Sequence, residues 1–175
     1  MKNLAMPFRE SQVTFDLRGY EHFAFENCPA YQRRSAHQLA EMDIGWYEPA
    51  NQALYIAELK DFSVSFQAPE PNLSKRATDL FHKSLSVIAM LTAVRLGTAT
   101  AHDIAPCLPP SWPALNPVYL LHIIHCSPHD EQKLLPLQRK LEEFMKPQYL
   151  QLFNIVSCTI LSHRQAKTQF PDIIS

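Results

Sequence analysis

Three side chains in the 175-residue sequence have the types and the spacing to do chemistry together: Asp43, Glu58 and Lys60. They lie between Met42 and Ser63, in MDIGWYEPANQALYIAELKDFS. Glu58 and Lys60 are two apart, so on a strand they point to the same side, about 6.6 Å from each other. If Asp43 is brought opposite Ala57 or Glu58, two carboxylates and an ammonium converge at one point on a sheet edge. A hard divalent cation such as Mg²⁺ or Mn²⁺ takes oxygen ligands, and two carboxylates are enough to hold Mg²⁺ with its waters. Such an ion lowers the pKa of a bound water and shields a phosphate. The lysine can orient the attacking water or neutralise charge growing on phosphate oxygens. The plainer alternative is that all three are solvent-facing charges on the polar side of half-buried strands.

The elements around them must do the positioning. Met42, Ile44 and Trp46 alternate with Asp43, Gly45 and Tyr47, which predicts a strand. Glu48 to Gln52 carries turn chemistry in Pro49 and Asn51, and a second strand follows over Ala53 to Leu59. So short a link predicts an antiparallel hairpin with Tyr47 near Ala53. Upstream, Gln12 to Leu17 and His22 to Glu26 show strand-like alternation, and Pro29 to Ala40 is either a short helix or a loop. Downstream, Val64 to Leu73 predicts a loop. A long helix follows from about Ser74, its cap, to Leu96, ended by Gly97. Its apolar face is Ala77, Leu80, Phe81, Leu85, Ile88 and Leu91. Thr98 to Pro117 holds five prolines and predicts an extended connection, and Val118 to Cys126 a buried strand. Ser127 and Pro128 then start a helix with Leu137, Leu141, Phe144 and Met145 on one face. Pro136 kinks or restarts that helix and Pro147 ends or interrupts it. A last strand, Ile155 to Leu161, precedes a polar tail. This order predicts one α/β or α+β domain over residues 1–175, with a central mixed sheet flanked by helices.

Composition narrows the function further. Gly19, Gly45 and Gly97 are the only glycines, which excludes a P-loop, a dinucleotide fingerprint and a kinase-type glycine loop. Sixteen basic against seventeen acidic residues give a net charge of -1, so a basic footprint for nucleic acid must be local. Cys28, Cys107, Cys126 and Cys158 are scattered with no CxxC pair, which predicts reduced thiols. The start of the chain has no apolar signal region, and Leu85 to Leu96 is too short to span a bilayer. The expectation is a soluble, cytoplasmic chain without a membrane role.

The arrangement of Asp43, the hairpin, Glu58-Leu59-Lys60, the following helix and the strand from Val118 resembles the PD-(D/E)xK phosphodiesterase superfamily. The resemblance covers about residues 10–126, and more loosely the helix and strand of 127–162. It implies a restriction-endonuclease-like core and a divalent-metal-dependent nuclease acting on DNA or RNA. In that frame Asp43 and Glu58 bind Mg²⁺ or Mn²⁺ and Lys60 is the catalytic lysine. Two departures stand out. Met42 takes the place of the motif's proline, and strands take the place of the opening helix that often supplies another acidic ligand. Glu26 or Glu21 is the candidate for that extra carboxylate. The near-neutral charge points to a protein partner, a homodimer or one basic face to deliver the substrate. The alternative is a catalytically inactive protein of the same fold that acts as a binding or scaffolding partner.

Other constellations are weaker. His122, His125, Cys126 and His129 supply zinc-ligand types, but His122 and His125 face opposite sides of a strand, which favours a structural role. No nucleophile elbow is present, and neither Cys28 nor Cys107 has a nearby basic group to lower its pKa. Tyr31, Arg33 and Arg34 could contact phosphates or bases, or form a solvated loop. Lys75 and Arg76 open the long helix, where cations oppose the helix dipole, so an external anionic partner is expected. Lys83 lies off the predicted apolar face and is expected to be solvent-exposed.

Overall fold

The computed structural model describes residues 6–28, 32, 40–68, 71–99 and 101–175. Its centre is a five-stranded mixed sheet in the order β3 (His22–Phe23), β4 (Ile44–Glu48), β5 (Ala53–Asp61), β6 (Val118–His125) and β7 (Ile155–Ser162). The expected hairpin is present: β4 and β5 pair antiparallel, with Glu48 opposite Ala53 and Ile44 opposite Ala57. β3 and β4 are also antiparallel, whereas β5 to β6 and β6 to β7 are parallel and need crossovers. β5 lies in the middle and is buried from Ala53 to Leu59, which is why it reads as an almost unbroken apolar run. Glu58 is the exception in that run.

On one face of the sheet, Leu54, Ile56, Leu120 and Ile124 pack against α1 (Leu73–Arg95) and α3 (Leu134–Phe144). α1 supplies Ala77, Leu80, Val87, Ile88 and Leu91, and α3 supplies Leu134, Leu137 and Leu141. The helix starts earlier than the sequence predicts: Asn72, not Ser74, caps it, its side chain accepting from the Lys75 N–H at 2.9 Å. Its buried face is also turned from the predicted one. Leu85 is exposed, while Ser84 is buried against the sheet and Lys83 is half-buried beside it.

The other face packs Trp46, Tyr55, Leu59, Leu121 and Ile123 under a hairpin of β1 (Phe8–Glu10) and β2 (Val13–Phe15) and under Ile173 and Ile174. Ser11 and Gln12 form the hairpin's two-residue loop, both with positive φ as a type I′ turn requires. The predicted strand from Gln12 to Leu17 is thus shorter. Likewise, the alternation over His22 to Glu26 gives two strand residues followed by a 3₁₀ turn, Phe25–Asn27.

The C-terminal half corrects several expectations. The proline-rich connection contains a helical turn, α2 (Ala101–Ile104), and a 3₁₀ turn over Ala105–Cys107. Another 3₁₀ turn, Ser65–Gln67, interrupts the predicted loop before α1. Pro136 falls in the first turn of α3, where no intrahelical N–H bond is lost, so it does not break the helix. Pro147 opens α4 (Pro147–Leu152). What reads as a polar tail includes α5 (His163–Gln169), started by a Ser162/Gln165 capping box. Cys28 and Cys107 form a disulfide across 79 positions, which overturns the expectation of four reduced thiols; Cys126 and Cys158 are free. Among the described residues, no helix is long and apolar enough to cross a membrane.

Candidate functional site

β5 leaves the core at Glu58, and the side chains around that exit form the site. Glu58 is fully buried, on the same face as Leu54, Ile56 and Lys60. Asp43 lies one residue before β4, and continuing the ladder register sets it opposite Glu58. Its Oδ2 accepts the Leu59 N–H at 2.6 Å, which ties it to the strand carrying Glu58. Gly45, two residues further on, makes this edge buildable. A Cβ there would lie 2.3 Å from the Phe23 ring, which occupies the space beside it.

Two ammonium groups meet Glu58 Oε1: Lys60 Nζ at 2.6 Å and Lys83 Nζ at 2.7 Å. Their side chains are 35% and 24% exposed, so the pair stands at the mouth of the site while the carboxylate lies inside it. These are charge contacts without hydrogen-bond alignment, and Oε2 has no hydrogen-bond partner among the described residues. Lys83 therefore corrects the expectation of a free surface lysine. Ser84, next to it, is buried in the apolar stripe of α1, and two polar residues in that stripe are the sequence signal that could have located it.

The electrostatics follow from this placement. Burial pushes the Glu58 carboxyl up to about 7, and the Asp43 charge pushes the same way against the pull of Lys83 and Lys60. For Lys60, desolvation is the largest influence and lowers its pKa, but Glu58 and Asp43 together outweigh it and the net shift is upward. The carboxylate missed in the sequence is Glu10, at the end of β1. The Ser11 hydroxyl donates to the Leu59 carbonyl at 3.3 Å and pins the hairpin tip beside the end of β5. Much of Glu10 faces solvent, yet partial desolvation and then Asp43 raise its pKa, while Lys60 and Lys83 oppose them.

The sequence candidates for the extra carboxylate stand elsewhere. Glu26 is exposed on a 3₁₀ turn, and its effect on Glu10 is weaker than that of Asp43 or either lysine. Glu21 accepts from the backbone N–H and hydroxyl of Ser111 at 2.9 and 2.6 Å. Among the described residues, no group of three or more His, Cys, Asp or Glu side chains is arranged to hold a metal. The two carboxylates that the strand register brings opposite each other are those of Asp43 and Glu58. The unpartnered, buried Oε2 fits an oxygen-seeking divalent ion that keeps waters in its remaining positions.

The histidine run has no such geometry. His122 is buried beside Glu58 in the β5–β6 register and shares a hydrogen bond with the Ser84 hydroxyl at 2.8 Å. Burial and the two lysines push its pKa down to about 3, so it stays neutral. Burial lifts the thiols of Cys126 and Cys158 to about 11 and about 12, which removes them as nucleophiles at neutral pH. Tyr31, Arg33 and Arg34 lie outside the described residues. No protein-family model, curated protein or solved structure matches this chain.

Proposed function

We propose that the protein is a divalent-metal-dependent nuclease of restriction-endonuclease-like fold, hydrolysing phosphodiester bonds with Asp43, Glu58 and Lys60. The observation that carries this reading is the buried Glu58 carboxylate, opposite Asp43 and capped by two ammonium groups, where β5 leaves the core. Asp43 and Glu58 would hold one Mg²⁺ or Mn²⁺. Bound there, the ion supplies an acidified water and charge neutralisation on the phosphate. Lys60 stands at the mouth, where its ammonium can orient the attacking water or meet charge growing on a phosphate oxygen. Lys83 neutralises Glu58 alongside Lys60 in the resting site and can pass to substrate when a cation takes over that carboxylate.

Labelled DNA and RNA, single-stranded and duplex, incubated with Mg²⁺, Mn²⁺ or EDTA test this. The expected result is metal-dependent cleavage that falls at least a hundredfold in Glu58→Gln and Lys60→Ala, with circular dichroism unchanged. The second reading, a non-catalytic binding protein of the same fold, draws on the self-neutralised state of Glu58 with its two lysines. No cleavage of any nucleic acid, together with no binding of divalent ions, would replace the first reading with the second.

A further inference from the structure

Next to the Glu58 site, on its solvent side, lies a small pocket lined by Lys60, Phe62, Arg76, Asp79, Leu80 and Lys83. The four α1 residues follow the i, i+3, i+4, i+7 pattern of one helix stripe, while Lys60 and Phe62 come from β5 and the residue after it. Three cations thus face one small volume against Asp79, with Glu58 shared between two of them. The pocket is net positive on a chain whose total charge is -1.

Arg76 makes its side-chain contact with an aromatic ring. Its guanidinium lies over the Phe62 ring, 5.2 Å from the centroid, and among the described residues it has neither an ion-pair partner nor a hydrogen-bond acceptor. A guanidinium held over a ring with its N–H groups uncommitted suits bidentate binding of a phosphate. The first turn of α1 has no acidic residue; Lys75 and Arg76 sit there instead. They oppose the helix dipole unless an anion binds beside them.

We propose that this pocket seats a backbone phosphate of the nucleic acid, a different phosphate from the one being cut, with Arg76 as its positioning residue. The proposal rests on the nuclease reading for its choice of anion, and its test separates the two. Binding of labelled DNA and RNA oligonucleotides to the full chain is measured by fluorescence anisotropy in EDTA, across a salt series. Arg76→Ala should weaken binding about tenfold and make the slope of log K against log salt shallower by about 0.7 to 0.9. Arg76→Lys should recover part of the loss, and Asp79→Asn should tighten binding. Calorimetric Mg²⁺ binding without nucleic acid should be the same in Arg76→Ala as in wild type, and any cleavage should show a raised KM at nearly unchanged kcat. Wild-type affinity and salt slope in both Arg76→Ala and Asp79→Asn would overturn the proposal. So would binding of inorganic phosphate without binding of any oligonucleotide. Arg76-dependent binding without Mg²⁺-dependent cleavage would support the pocket and overturn the nuclease reading. Cleavage with undiminished affinity in Arg76→Ala would do the reverse.

Discussion

Glu58 and His122 sit side by side on β5 and β6, in register, on the same face of the sheet, and both are fully buried. Their surroundings separate them. His122 lies inward of the α1 stripe, where Ser84 hydrogen-bonds it and Cys158 lies 3.4 Å from the same hydroxyl. It is neutral and sealed, with its Nδ1 left without a hydrogen-bond partner among the described residues. Glu58 is one α1 position nearer to solvent, beside Lys83 rather than Ser84, and its second oxygen is unsatisfied. Two polar groups at equal burial thus have different status. One belongs to a small neutral network in the core, and the other is a carboxylate behind a charged mouth. Burial alone does not mark a functional residue. Nor does an unmet bond, since His122 Nδ1 and Glu58 Oε2 both lack a partner among the described residues; the partly exposed lysine pair beside Glu58 is what sets it apart.

This contrast predicts opposite pH responses. The Glu58 pKa is raised in the folded state, so its contribution to stability is full below about 4.5 and is lost as pH rises through about 7. On the order of 3 kcal/mol is at stake, from 1.36 kcal/mol per pKa unit. Chemical denaturation of wild type and Glu58→Gln across pH 4 to 8 should show that slope in wild type only. The His122 pKa is depressed, so its contribution is full above about 6.5 and is lost as pH falls towards 3. His122→Leu should remove this acid-side slope and cost about 1 to 3 kcal/mol at pH 7, because the Ser84 hydroxyl keeps only Cys158. It should leave divalent-ion affinity within about threefold; a large loss of affinity would erase the distinction between the two regions. An effect of similar size is expected on β4, beside the short edge strand β3. Gly45→Ala should cost about 1 to 3 kcal/mol by overpacking against Phe23, read as a lower melting temperature.

What was legible in the sequence follows the range of the signal. Asp43, Glu58 and Lys60 could be placed because a period of two and a short turn fix a hairpin register to within one residue: Glu48, not Tyr47, stands opposite Ala53. Lys83 lay within reach of the same reasoning. Taking Leu85 as part of the buried face of α1, instead of Ser84, rotated the predicted stripe and sent Lys83 to solvent. The Ser162/Gln165 capping box of α5 was likewise present as a local pattern and was passed over as tail. Glu10 was harder. Its hairpin turns through Ser11 and Gln12 at positive φ, without the glycine or asparagine that usually announces such a turn. The Cys28–Cys107 bond joins positions 79 apart, and no local pattern encodes it.

The central claim is that Asp43 and Glu58 share one divalent cation, and calorimetric titration of the purified chain with Mn²⁺ tests it most directly. One site per chain is expected at pH 8, lost in both Asp43→Asn and Glu58→Gln. Affinity should fall about tenfold at pH 6, where a Glu58 proton must first be displaced. Binding that is equal in wild type and both variants, or absent from wild type at pH 8, would contradict it.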